Sequence, residues 1–389
     1  MRLMTSCVVV LAVLYVACPA WADQAAAPAA VKAPQPMANA TPLAESLLKE
    51  NRDGTFSMVR TFMGKEFSFI TADEMEEAKV KEAFEAGFEE VARLEKLTDS
   101  KDATSGMGLI NAKAGIEPVV VDPELFDMIS RALEVSTITK GAFDITFASL
   151  GDLWDFNKVP FTLPKESDIK ARLPLVSYAN VELDERKSTV FLKKTGVRIG
   201  LKGIAQGYAA DKAAYVLQRK GLNNFIVSAG GDLMIMGRKK DKNWNVGIQD
   251  PFFPDTYLGT LPVSNKAVVT SGDYERGFWI NDKYYHHIID TKTGNPASEC
   301  HQVTIIADYA TYADALATGI FVLGPNVGLP LIEKMPGVDA VIIDQQGNVF
   351  ATSGVKDAIS FKKKVNLPRP PVPQDNSEDM LGPVEKKTK

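Results

Sequence analysis

From Asn224 to Ala307 the chain offers one strand after another, with no stretch between them long and periodic enough to be a helix. The runs NFIVSAGGDLMIMG, WNVGIQDP, VVTSGDY, GFWINDKYYHHIID and QVTIIA are parted only by short polar, Gly or Pro segments. Runs of adjacent strands like these argue for largely antiparallel or mixed sheets, since parallel neighbours need long crossovers. Asn281-Asp282 reads as a hairpin tip. Earlier, FSMVRTFMGKEFSFIT alternates like a strand pair, and near the end DAVIIDQQGNVFAT reads as a closing hairpin. Helices are expected from Met75, where Val80, Phe84, Phe88, Val91 and Leu94 fall at helical spacing, from Pro123 to Val135, from Ala205 to Lys220, and over TYADALATGIFVLG. The expectation is an α+β fold of mixed or largely antiparallel sheets with packed helices. There is no internal repeat.

With 389 residues, 45 % of them hydrophobic, the chain can bury an ample core. A net charge of -5, spread over many residues of both signs, leaves no basic stripe to neutralise a nucleic acid. Arg2 precedes an apolar run, CVVVLAVLYVA, too short to span a membrane comfortably, and PAWAD then gives a small-x-small pattern at Ala20-Trp21-Ala22. Residues 1–22 are therefore expected to be an export signal, which implies a periplasmic protein. A rival reading makes Cys18 the lipidated first residue of an inner-membrane lipoprotein, since Leu14, Val16 and Ala17 precede it, although Tyr15 is unusual in that signal. Residues 23–50 read as an Ala/Pro-rich tether, 51–365 as the folded body, and 366–389 as a Pro-rich, then charged, disordered tail. Cleavage after Ala22 removes Cys7 and Cys18, leaving Cys300 with no disulfide partner and packing as its expected role.

Several short segments carry polar chemistry, each with a plainer rival. In SAGGDL, Gly230 and Gly231 would let a ligand approach the backbone, or form a bulge between core strands. TSGDYER gathers hydroxyl, amide and basic groups from Thr270, Ser271 and Gly272 onward, which suits phosphate handling or a polar turn. Asp314 and Thr318 are four residues apart on one helix face; two hard oxygens suit Mg²⁺, while an Asp there can also simply cap the helix. The segment from Gly200 to Leu217 runs from a glycine-bearing turn into an amphipathic helix, offering free amides to an anion or small residues for close packing. It has neither Walker nor Rossmann spacing. The chain has three histidines, His286, His287 and His301. Consecutive strand residues face opposite sides, which argues against a zinc cluster of these with Cys300. An acid/base pair beside a phosphate site, with Asp290 three residues past His287, is the sharper reading.

Together these segments resemble the ApbE-type flavin transferases, which move FMN from FAD onto a threonine or serine of a partner protein. The resemblance runs in the family's order through TFMG, GAFDITFASLGDLWDF, GLKGIAQGYAAD, SAGGDL, TSGDYER, HHIIDTKTGNP and YADALATG, over roughly residues 55 to 355. It implies an ApbE-like, T-fold-related single catalytic domain. It also implies FAD contacts at Met63, Asn111, Ala142, Phe143, Asp144, Gly230 and Gly231, and in the segments holding Gly200, Lys202, Gln206, Thr270, Ser271, Gly272 and His287. Mg²⁺ is expected between the Gly203 carbonyl, the Asp314 carboxylate and the Thr318 hydroxyl. His287 and Asp290 are expected beside the pyrophosphate, His287 as the base for the acceptor hydroxyl.

Where that family most often shows Asp-Leu-Gly-Gly-Ile-Ala-Lys-Gly, this chain has Gly200-Leu201-Lys202-Gly203-Ile204-Ala205-Gln206-Gly207. The family's Asp and Lys are thus replaced by Gly200 and Gln206, and Lys202 is an added cation in the same turn. The implied partner is an acceptor segment of a membrane-associated redox flavoprotein. FAD hydrolysis to FMN and AMP, or FAD binding without catalysis, are the alternatives.

Overall fold

The computed structural model of the chain describes residues 47–156, 158 and 161–361, with the side chains of residues 254 and 255 excepted. The expected export signal, nearly all of the tether and the tail lie outside the described residues. Nine strands form one sheet in the order in which they occur along the chain: Lys49–Glu50, Phe56–Phe62, Lys65–Thr71, Phe225–Ala229, Asp232–Met236, Lys266–Gly272, Cys300–Ala307, Asp339–Asp344 and Val349–Ala351. Every neighbouring pair is antiparallel. The first strand begins two residues before the expected boundary at Asn51.

Helices Glu77–Thr98, Ala205–Arg219 and Ala310–Leu323 pack against one face of this sheet. Val80, Phe84, Phe88, Val91 and Leu94 are all buried, as the helical spacing requires. Phe88 stacks on Phe69 of the sheet at 4.0 Å between ring centres, and each such buried aromatic contributes about 2 kcal/mol. Opposite, a three-stranded sheet of Trp244–Asp250, Phe253–Val263 and Ser360–Phe361 covers the alternate residues Ile235, Val268, Ile306 and Val341. Coverage on both sides is why Cys300–Ala307 is buried at nearly every position rather than alternating.

Three hairpins turn through two residues with positive φ, the geometry that suits the right-handed twist of the strands. They are Met63-Gly64 (53° and 72°), Gly230-Gly231 (65° and 109°) and Asn281-Asp282 (49° and 58°). The paired glycines are therefore a tight turn and not a bulge. The hairpin Gly277–Ile280/Lys283–His286 ends at His286, so the run through Asp290 is only partly strand.

Candidate active site

Chain reversals place the polar segments at one end of the main sheet. The Gly230 amide donates to the Glu66 carbonyl at 2.8 Å, which sets the Gly230-Gly231 tip beside the strand leaving Met63-Gly64. Strand Lys266–Gly272 runs past that tip and brings Ser271 to Thr318 of the Ala310–Leu323 helix, with the two hydroxyl oxygens 3.4 Å apart. Thr270 is held by the Thr304 hydroxyl at 2.8 Å. Thr291 donates its hydroxyl to the Gly141 carbonyl, and the Trp154 indole N–H donates to the Gly294 carbonyl at 2.8 Å. Those two bonds join the Asp290–Gly294 turn to the Gly141–Phe156 segment, far away in sequence.

The three histidines have three different environments. His286 is buried; its Nδ1 accepts from the Ile288 amide, so its Nε2–H donates to the Ala297 carbonyl at 2.8 Å. Both nitrogens are thereby used inside the fold. His301 Nδ1 pairs with the buried Asp273 carboxylate at 2.6 Å. His287 is half-buried, and its Nδ1 lies 3.2 Å from the Arg276 carbonyl. A carbonyl can only accept, so Nδ1 carries the proton and Nε2 keeps its lone pair. Burial pushes the His287 pKa down to about 4, and the charges of Arg276 and Lys65 press the same way. The ring is therefore neutral near pH 7. Lys202 is likewise lowered, first by desolvation and then by repulsion from Arg276 and Lys101. Cations thus converge around a neutral imidazole, an arrangement suited to a polyanion.

Asp290 has a different setting from that expected of a partner to His287. Its Oδ1 accepts from the Lys292 amide at 2.9 Å, and its backbone pairs with Asn295 and Gly294. Among the described residues no hydrogen bond links it to His287; its observed bonds hold the turn.

Asp314 is buried, and its Oδ2 accepts from the Gly207 amide at 3.1 Å. Desolvation raises its pKa to about 7. Thr318 follows one turn later, and Gly203 lies against it, since a Cβ built on Gly203 would stand 3.6 Å from the Thr318 hydroxyl oxygen. Gly203 and Thr318 are thus neighbours, with Asp314 one turn earlier on the same helix. Among the described residues no group of three His, Cys, Asp or Glu side chains forms a metal cage; a cation here would rely on mixed hard oxygens. One carboxylate was missed from the sequence: Asp232, buried at the foot of the Gly230-Gly231 tip and close enough to Asp314 for their charges to repel.

Several expected FAD contacts are already engaged within the fold. Asn111 is bonded at both ends of its amide to the Ile199 backbone, at 2.8 and 3.1 Å. Asp144 accepts from Thr146 with one oxygen and from the Tyr178 amide with the other, and burial raises its pKa. Both side chains position backbone. Ala142 and Phe143 are buried, Phe143 reaching Gly203. Met63 sits at positive φ, with its amide donating to Glu95. Gly200 anchors to the Ile145 carbonyl, Lys202 is exposed, and the Gln206 amide nitrogen stands 3.0 Å from a Cβ built on Gly230. Gly231 is open on its outer side and Gly272 ends its strand within the cluster.

Residues 63–342 match the ApbE family. The chain is 34 % identical over 298 residues to an FAD:protein FMN transferase of Treponema pallidum (strain Nichols), covering 72 % of this chain and 82 % of that one. It is 31 % identical over 268 residues to one of Klebsiella pneumoniae (strain 342), covering 68 % and 83 %. Its fold is similar to the ApbE protein of Thermotoga maritima, with a TM-score of 0.72 at 32 % identity, over 78 % of this chain and 99 % of that one. The flavin transferase ApbE of Vibrio cholerae shares the fold at a TM-score of 0.69 and 22 % identity, over 78 % and 99 %.

Proposed function

We propose, from the premise that the chain belongs to the ApbE family, a specific form of the transfer of FMN from FAD to a protein that is that family's activity. The acceptor is a threonine or serine hydroxyl, the metal is Mg²⁺, and His287 is the base. The observation that carries this reading is the tautomer of His287: with Nδ1–H committed to Arg276, Nε2 is left as a proton acceptor among cations.

The hydroxyl oxygen attacks the FMN-side phosphorus, the P–O bond to AMP breaks, and the hydroxyl proton passes to His287 Nε2. The mutual repulsion of Lys202 and Arg276 supports a role for both in neutralising pyrophosphate charge, Lys202 in place of the cation that the family carries at Gln206. Asp290 fixes the turn behind His287.

The residues fit a small hard cation. Asp314 is a buried carboxylate whose pKa desolvation raises, the Thr318 hydroxyl follows one turn later on the same helix, and Gly203 packs against Thr318. Mg²⁺ held by Asp314, Thr318 and the Gly203 carbonyl supplies charge stabilisation to the phosphoryl group when bound. Residues 1–22 support export, and hence a periplasmic acceptor segment on a membrane-associated redox protein. Lipidation at Cys18 would anchor the same domain to the membrane.

Incubating the chain with FAD, Mg²⁺ and a domain bearing an acceptor threonine should add the mass of FMN to the acceptor and release AMP, both abolished by EDTA. AMP release without labelling of any acceptor hydroxyl would replace the transferase reading by FAD hydrolysis.

A further inference from the structure

Asp232 opens the strand that follows the Gly230-Gly231 tip, where the turn fixes its backbone and burial fixes its side chain. Its Oδ2 is the one buried side-chain polar atom among the described residues without a hydrogen-bond partner. Buried carboxylates are normally satisfied by donors or by a cation, so this orphaned oxygen marks a missing partner.

Its charged surroundings narrow what that partner is. Asp314 and Glu275 repel a charge on Asp232, and Lys65 is the cation that offsets them. Lys65, however, already bonds Glu275 at 2.9 Å. Asp314 and Thr318 come from one helix and Asp232 from the sheet beneath it, where the neighbouring strand Lys266–Gly272 pairs with the Asp232 strand and carries Ser271 to within 3.4 Å of the Thr318 hydroxyl. Two buried carboxylates from different elements, with hydroxyls beside them, form an oxygen set of the kind a divalent cation completes.

We propose that Asp232 supplies a second carboxylate to the cation held by Asp314, Thr318 and the Gly203 carbonyl, and so lets this chain bind the metal before FAD arrives. The inference rests on the metal reading given above. With two carboxylates the site neutralises a divalent charge by itself. With one, the substrate's phosphates would have to complete it.

Titrating Mn²⁺ into the metal-stripped, FAD-free full chain, with free Mn²⁺ counted by electron paramagnetic resonance, tests this directly. One ion should bind, and both Asp232→Asn and Asp232→Ser should weaken its binding by roughly tenfold or more. In EDTA the Tm of these variants should equal or exceed the parent's, since a desolvated carboxylate has been removed. Mn²⁺ binding within twofold of the parent in both variants, or no binding by the FAD-free parent, would overturn the proposal. So would a fall in Tm in EDTA with Mn²⁺ binding unchanged, which would make Asp232 a structural carboxyl. Asp314→Asn separates the two levels. If it loses Mn²⁺ while the Asp232 variants do not, only the role of Asp232 fails; if it too binds normally, the metal site itself is misplaced.

Discussion

His287 donates its Nδ1 proton to the Arg276 carbonyl oxygen, 3.2 Å away. Everything proposed for the imidazole depends on that bond, because it decides which nitrogen can take a proton. His287→Ala should lower FMN transfer by about 10²–10⁴ while FAD binding is retained. A variant that binds FAD normally and transfers at the parent rate would remove His287 from the chemistry.

The pH profile should carry the same signature. Burial lowers the His287 pKa to about 4, so the basic form is present above that value and is lost as pH falls through it. The acid limb of kcat/KM should therefore lie near 4 instead of the ordinary value of about 6.5. Bound pyrophosphate favours the imidazolium, so the limb of kcat should lie higher than that of kcat/KM. Identical limbs near 6.5 that persist in His287→Ala would assign the titration to another group.

Asn111→Ala should act through stability. The substitution leaves the buried Ile199 N–H and C=O without their side-chain partner, at roughly 1–3 kcal/mol for each. Urea unfolding should show the loss, and KM for FAD should rise only as the Gly200–Lys202 turn loosens. Unchanged stability with much weaker FAD binding would instead make Asn111 a direct contact.

Gly207→Ala should harm both fold and site. A Cβ at Gly207 would stand 2.2 Å from the Ala310 carbonyl oxygen and 2.9 Å from the Asp314 Cβ. Helix Ala205–Arg219 would have to move off helix Ala310–Leu323, costing about 1–3 kcal/mol against a gain of up to about 1 kcal/mol in helix propensity. The amide that holds Asp314 moves with it, so transfer should fall further than the folded fraction measured by circular dichroism.

Lys202→Gln should raise KM for FAD about tenfold, the worth of one charge-assisted hydrogen bond. Adding Gln206→Lys, which restores the cation the family usually carries, should recover most of that loss. If Lys202→Gln leaves KM unchanged, the two positions do not exchange charge and the substitution at Gln206 is compensated elsewhere.

Period-two and helical patterns were legible wherever one face is buried and the other is not, as in the Glu77–Thr98 helix and the Phe56–Phe62/Lys65–Thr71 hairpin. Phe253–Val263 was not, because residues such as Pro262 read as breakers. Pro262 is tolerated where the short Ser360–Phe361 strand, which pairs only at Gly259 and Thr260, no longer reaches it. Helix Gly106–Ala112 and the small sheet Val119–Val120, Val181–Asp184 and Thr189–Leu192 are likewise too short for periodicity to declare them.

By itself the sequence determined the α+β class with largely antiparallel or mixed sheets, since that follows from local spacing and turn chemistry. Only the tertiary structure decided what each polar side chain does. Asn111 and Asp144, expected from sequence as nucleotide contacts, also bond backbone groups 88 and 34 residues away. Asp232 looked like an ordinary strand residue until packing left its Oδ2 buried without a partner. Whether a hydrogen-bonding group is free to act depends on which distant donors reach it first, and local sequence carries no record of that.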